Sequence, residues 1–411
     1  MIGGEAMVLA RMAWRNLWRN PRRSLITIAA MSLSLTLMIV SISLVEGMNR
    51  QMIRYAADRS LGHIQVHAPQ YFKDRGLYEN LPASILDRFD GSTFQAAPRA
   101  YAYGLASMGE KSAGVQIRGL APERERRVTD LWKHMLEGRF LEPGDRKAVL
   151  VGRRIAKTLD VRLGSEIALI TQAADGSLGN DLYRVVGILK ALDEATDRTA
   201  VIMPLQEFAE LLVLPGRIHE VAVRTPDAEH PGRYQPQVGR LLEGIPCDVR
   251  TWREIAPALS DALALNKTWT YIVLAIVFAI ACLGVVNTML MAVFERMYEL
   301  GLMLAIGLKP LRLVRVVLLE TLLLAGVSEV SGTGLGLLWS WRLAVKGWDL
   351  TGLFGETFEF TGFAFDNILR AAILPADVLY CMGLLLAISA LAGLYPSVKS
   401  ARLKPVQAMR T

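Results

Sequence analysis

Along this chain, long stretches free of ionisable side chains alternate with charged flanks. A hydrocarbon core about 30 Å thick takes roughly 20 residues in helical form. Residues 24–45, 268–294 and 378–398 contain no Asp, Glu, Lys, Arg or His, and 313–341 is apolar apart from Arg315, Glu320 and Glu329. The pattern predicts a membrane protein with four transmembrane α-helices. Residues 1–23, 295–312 and 399–411 then share one side, and 46–267 and 342–377 share the other. The first apolar stretch exceeds the usual leader length and shows no convincing small-x-small cleavage site before Glu46. It reads as an anchor that is retained.

The long segment 46–267 has a different rhythm. GHIQVHAP (62–69), KAVLVG (147–152), SEIALIT (165–171), YRVVGIL (183–189), TAVIM (199–203) and EVAVRT (220–225) read as strands from their β-branched content. RRIAKTLD (153–160), LQEFAELL (205–212) and QVGRLLEGI (237–245) read as short amphipathic helices. A large α+β domain is therefore inserted between the first and second membrane helices. Its ends look like helical stalks. After Gly47 no breaker appears until Gly62, and Thr251 with Glu254 fits a capping box leading into Ile255, Leu259 and Leu263. Pro257 predicts a kink in the first turns of that second stalk.

Composition sharpens the picture. Of 411 residues 52% are hydrophobic and 21% charged, which excludes a disordered chain. The net charge of +7 raises the question of a nucleic-acid partner. However, residues 1–23, 295–315 and 399–411 hold 13 basic and 3 acidic residues, whereas 46–267 holds 30 and 29. The excess is a topology signal that places both termini in the cytoplasm. The near-neutral large domain offers no nucleic-acid surface.

Two polar features lie inside the apolar stretches. Residues 24–45 contain five Ser and two Thr. On a helix Ala29, Ser32, Thr36, Ser43 and Gly47 share a stripe about 60° wide. The stripe reads as a close-packing face against the second span or a partner subunit, with a substrate-facing role as the alternative. Glu320 and Glu329 are intramembrane acids about 180° apart around a helix, so they form no pair with each other. Glu320 lies within reach of Arg312, Arg315 or a neighbouring helix, while Glu329 lies deeper. Gly332 and Gly336 form a G-x-x-x-G packing surface.

Enzymatic signatures are missing. No P-loop, H-E-x-x-H or G-x-S-x-G string occurs, so no catalytic residue is assigned. His63 and His67 share a parity on a predicted strand but lack further ligands, so no metal site is assigned. Cys247 is the sole cysteine of 46–267, which excludes an internal disulfide there.

The loop 295–320 carries a family resemblance. Glu295-Arg296, Glu299-Leu300-Gly301, Ala305-Ile306-Gly307 and the later Glu320 resemble the E-R-x-x-E-I-G-x-x-x-A-I-G pattern of FtsX-like permeases. WRNLWRNPRR (14–23) and GLYPSVKSARLKPVQAMR (393–410) are similar to that family's entry and ending, and 138–212 to its MacB-like periplasmic core. The resemblance implies a type VII ABC transporter permease that binds no cofactor itself. ATP and Mg would be held by a separate ABC ATPase dimer. Glu295, Arg296, Glu299, Gly301, Met303, Leu304, Ala305, Ile306 and Gly307 would form the ATPase-coupling site, with Met303, Leu304 and Ile306 as apolar contact and Arg296 and Glu299 as polar rim. Length and the opening GHIQVHAPQY (62–71) are similar to the LolC/LolE lipoprotein-releasing branch. That branch implies a bacterial inner-membrane location, a periplasmic large domain, a lipoprotein substrate, a second permease copy or paralogue, contact with membrane lipids, and a periplasmic carrier. MacB-like export with an adaptor, or FtsX-like activation of a peptidoglycan hydrolase, are the alternatives.

Overall fold

The computed structural model describes residues 11–190, 194–307, 309–354, 358–360, 363–365 and 368–401. The last residues of the C-terminal motif, 402–411, and the first ten residues lie outside them. The chain divides into two compact units: residues 1–48 with 264–349 and 368–411, and residues 49–263 with 350–367.

In the first unit the apolar stretches are long helices. They are α1 (Pro21–Ala56), α3 (Pro257–Glu295), α5 (Pro310–Lys346) and α6 (Pro375–Ala401), with the short α4 (Met297–Ala305) between α3 and α5. Three of them, in α1, α3 and α6, are long and apolar enough to cross a membrane. The 313–341 stretch lies within α5, one continuous 37-residue helix that includes Glu320 and Glu329 among its buried side chains. The unit's core joins Met31, Leu35 and Ile39 of α1 to Leu274 and Phe278 of α3, Leu324 and Ala325 of α5, and Cys381 and Leu385 of α6.

The polar stripe of α1 packs against α5, and not against α3. Ser32 Oγ donates to the Ser328 carbonyl at 3.1 Å, and Thr36 Oγ1 to the Gly332 carbonyl at 3.0 Å. Glycine makes this approach possible. A Cβ on Gly332 would lie 2.8 Å from the Ser32 carbonyl oxygen, and one on Gly336 would lie 3.0 Å from Ile39 Cβ. Gly47 and Ser43 continue the contact on the 370–372 segment, where Ala372 N donates to the Ser43 carbonyl at 2.8 Å. Ala29 departs from the stripe and is exposed.

The second unit is built on a mixed ten-stranded sheet, counted among the described residues. Its strands are β1 (Ile64–His67), β2 (Gln95–Met108), β3 (Lys111–Leu120), β4 (Met135–Gly138), β5 (Ala148–Val151), β6 (Glu166–Gln172), β7 (Leu178–Leu189), β8 (Ala200–Pro204), β9 (Glu220–Arg224) and β10 (Asp248–Thr251). The order is β10-β1-β9-β2-β3-β8-β5-β7-β4, with β6 joining β2 and β7. All six strands and three helices expected from the pattern are present.

The longest hairpin, β2–β3, has no counterpart among those expectations. Its strands are rich in Ala and Gly, which β-propensity disfavours. Tertiary packing explains the composition: at Gly119 a Cβ would meet Phe208 Cβ at 2.6 Å, because helix Leu205–Leu211 lies directly on the sheet. Phe208 is 1% exposed, a burial that contributes about 2 kcal/mol. Gly109, at φ +59°, takes the first place in the two-residue turn between Met108 and Lys111.

The second stalk starts with the expected capping box. Thr251 N donates to Glu254 Oε2 at 2.8 Å at the head of α2 (Trp252–Ile255). Pro257 does more than kink the helix. Ala256 leaves helical geometry at φ −116°, ψ 69°, and α3 starts anew at Pro257. The proline ring clashes with a helical predecessor, so α2 ends after one turn.

Candidate functional site

The loop between α3 and α5 is the densest cluster of singled-out residues. Arg296 breaks the helix with φ −107°, ψ 17°, and α4 follows for nine residues. Gly307, at φ +98°, closes it in a left-handed conformation. Pro310 then opens α5 at its first position, where a missing N–H costs nothing.

The two faces of α4 have different fates. Leu300 packs with Val293, Leu313 and Val317, and Met303 and Leu304 lean on this small core. Gly301 is buried as well. The opposite face carries Tyr298, Leu302 and Ile306, which are 56%, 41% and 79% exposed. Four-residue spacing aligns these three in one stripe. The available apolar surface is therefore Tyr298–Leu302–Ile306. Of the residues expected to supply it, Ile306 does so, whereas Met303 and Leu304 are mostly engaged inward. Ala305 and Gly307 are exposed beside the stripe.

The expected polar rim is also redistributed. Arg296 is only 9% exposed and points inward. Its Nη1 lies 3.3 and 3.4 Å from the Glu320 carboxylate, and its Nη2 donates to the Asn16 carbonyl at 2.8 Å. Glu320 thus meets the loop arginine, not Arg312 or Arg315, because the break at 296 turns that side chain back along α5. Glu299 receives a two-pronged hydrogen bond from Arg19, at 2.7 and 2.6 Å. Hydrogen bonding to that guanidinium holds the Glu299 carboxyl below its ordinary range. Glu295 pairs with Arg23. Arg296 and Glu299 therefore secure the start of α4 to the N-terminal segment and α5, while Glu295 ties the end of α3 to the start of α1. Arg19 and Arg23 carried no separate expectation, since only the fold brings them within reach.

Glu329 behaves as an outlier. It is 7% exposed, and its Oε1 has no hydrogen-bond partner among the described residues. Thr333 and Ser340 share that condition and lie within about 40° of it around α5.

In the second unit, His63 and His67 are structural. His67 Nδ1 meets the His219 carbonyl at 3.0 Å and Nε2 meets Gln65 Oε1 at 2.9 Å. His63 immediately precedes β1. Among the described residues no group of three or more His, Cys, Asp or Glu is placed to hold a metal. All three cysteines are free. The strongest buried charge cluster is Arg99 with Glu125 and Glu220, at 2.7 and 2.9 Å.

In sequence, the sheet domain is inserted between the first two of the long apolar helices, α1 and α3. Residues 24–241 match the MacB-like periplasmic core domain and residues 271–405 the FtsX-like permease C-terminal domain. The chain belongs to the family of MacB-like periplasmic core domain proteins with an FtsX-like permease C-terminus. It is similar to the lipoprotein-releasing system transmembrane protein LolC of Xylella fastidiosa, at 24% identity over 94% of this chain and 93% of the relative. It is also similar to the transmembrane protein LolE of Haemophilus influenzae, at 24% identity over 74% of each chain. Among solved structures, the periplasmic region of MacB from Actinobacillus actinomycetemcomitans is 14% identical, covering 49% of this chain and 94% of that one, with a TM-score of 0.36.

Proposed function

We propose that this chain is the permease subunit of an ABC transporter that extracts lipoproteins from the outer leaflet of the bacterial inner membrane. In this reading α5 is the fourth span, and both termini and α4 are cytoplasmic. The sheet domain is periplasmic and stands on the ends of α1 and α3. A second permease copy or paralogue completes the unit, and a periplasmic carrier receives the cargo. The similarity to lipoprotein-releasing permeases over nearly the full chain supports the reading.

The geometry of α4 supports its energetic half. An outward apolar stripe on a charged loop needs a protein partner. A separate ABC ATPase dimer, holding ATP and Mg, is that partner. Closure of the dimer would push α4, and through Arg296–Glu320 and Arg19–Glu299 move α5 and α1 together. Expulsion of cargo then follows from motion, without chemistry on this chain.

The test is ATP-dependent release of an acylated lipoprotein from proteoliposomes containing this chain and its co-purified ATPase. No release beside an active ATPase would end the lipoprotein reading. Ile306→Asp and Leu302→Asp should abolish ATPase co-purification while leaving membrane insertion intact, and undiminished association would remove α4 as the coupling site. Gly301→Asp is the poorer probe, since it would disrupt the inner packing of α4.

A further inference from the structure

The roots of both stalks meet at one corner of the sheet. β1 lies between β9 and β10, antiparallel to each, with Ile64 opposite Val223 on one side and Thr251 on the other. The start of β1, the end of β9 and the end of β10 therefore coincide. The start of β1 follows α1 through a π-helical turn, Ala57–Leu61. The end of β10 leads into α2 and α3. The end of β9 leads into the loop 225–230.

That loop is bonded to both roots. From the α1 side, Arg50 Nε lies 3.3 Å from Glu229 Oε1. His63 Nδ1 accepts from Thr225 N at 3.1 Å, which leaves the proton on Nε2 to donate to Asp58 Oδ1 at 2.8 Å. From the α3 side, the fully buried Trp252 donates Nε1–H to the Ala228 carbonyl at 2.8 Å, and Arg253 Nη2 donates to the Glu229 carbonyl at 3.0 Å. Trp252 N also donates to the His63 carbonyl at 3.1 Å, closing the ring. The loop holds its own shape: Asp227 Oδ1 accepts from Glu229 N at 2.8 Å, and Thr225 Oγ1 donates to the Asp227 carbonyl at 3.0 Å.

We propose that the loop 225–230 is a clasp that fixes the spacing of the two stalk roots, with Glu229 and Trp252 as positioning residues that make the stalks move as one lever. A sheet corner alone would link the stalks through three short strands. The clasp adds side-chain ties from each stalk to one rigid loop, so displacement of either root is passed to the other. π-turns concentrate at functional joints, and this one ends at the clasp. The inference deepens the mechanical reading above and rests on it.

The experiment measures the stalk-to-stalk distance by pulsed electron resonance in the full complex in nanodiscs. Spin labels replace the exposed Arg54 and Asp261, with Cys247→Ser, Cys282→Ser and Cys381→Ser as background. Glu229→Ala removes the Arg50 tie at a half-exposed site, and Trp252→Phe removes the Ala228 bond while keeping a buried ring. Without nucleotide the parent should give a narrow distribution, and the double variant one about twofold broader while its sheet domain still unfolds in a single cooperative transition. ATP-driven cargo release should fall about tenfold while ATPase turnover persists. An unbroadened distribution in the double variant would overturn the clasp. A parent distribution that ignores ATP would instead overturn the mechanical reading, while the nucleotide-free comparison still judges the clasp.

Discussion

Replacing Glu320 by Leu leaves Arg296 nearly buried with one remaining acceptor, the Asn16 carbonyl at 2.8 Å. Breaking one side of a buried ion pair typically costs about 3–5 kcal/mol. The two contacts at 3.3 and 3.4 Å are longer than the roughly 2.8 Å of a strong charge-assisted bond, which places this pair at the lower end, about 3 kcal/mol. Arg296→Met should cost about the same, because it strands both the carboxylate and the Asn16 carbonyl. The double variant Arg296→Met/Glu320→Leu strands only that carbonyl, so it should cost about 2 kcal/mol, well short of the sum. Reversible unfolding in mixed micelles, read as a double-mutant cycle, measures the difference. Strictly additive losses would refute the pairing, and with it the idea that α4 and α5 are mechanically joined there.

Gly332→Leu should destabilise the helical unit by about 1–3 kcal/mol in the same assay, since its side chain has no room beside Ser32, whereas Gly334→Leu, with open space around it, should be near neutral. Glu329→Leu removes an unpartnered buried oxygen and should raise stability by about 1–3 kcal/mol, so a marked loss would mean that the carboxylate has a partner in the working complex. His67 and His219 are held below the ordinary imidazole value of 6.5 chiefly by burial, with Glu220 and Asp248 opposing and Arg250 assisting at His67. The unfolded chain therefore takes up protons first on acidification. The sheet domain should keep its stability above about pH 6.5 and lose up to about 1.4 kcal/mol per pH unit per histidine below it. Urea midpoints followed by tryptophan fluorescence check this slope, and His67→Gln should flatten it.

Much of this protein is legible in its sequence because the physics of each signal is local. Uncharged runs of membrane length become long helices, since hydrocarbon admits no unpaired backbone groups. Alternating β-branched segments become strands, and Thr251 with Glu254 caps a helix using only its own neighbours. Charge asymmetry across the short flanks needs no fold to be read. The loop motif also stands out as residues, although the side chains within it do not announce their partners.

The tertiary structure decided those partners. Arg296 and Glu320 are 24 residues apart, and Arg19 and Glu299 are 280 apart. No local pattern selects such pairs from the other charges nearby. Spacing groups Ser32, Thr36, Ser43 and Gly47 of α1 on one stripe, and in the fold these positions meet α5 and the 370–372 segment. The α5 contact forms because two glycines there remove the side chains that would hold the backbones apart. The β2–β3 hairpin was invisible for the converse reason: Gly119 leaves room for Phe208 and its helix, a need set by another segment. Periodicity and charge determine which residues turn away from lipid and water. Which of those residues meet is decided by close packing between segments distant in the chain.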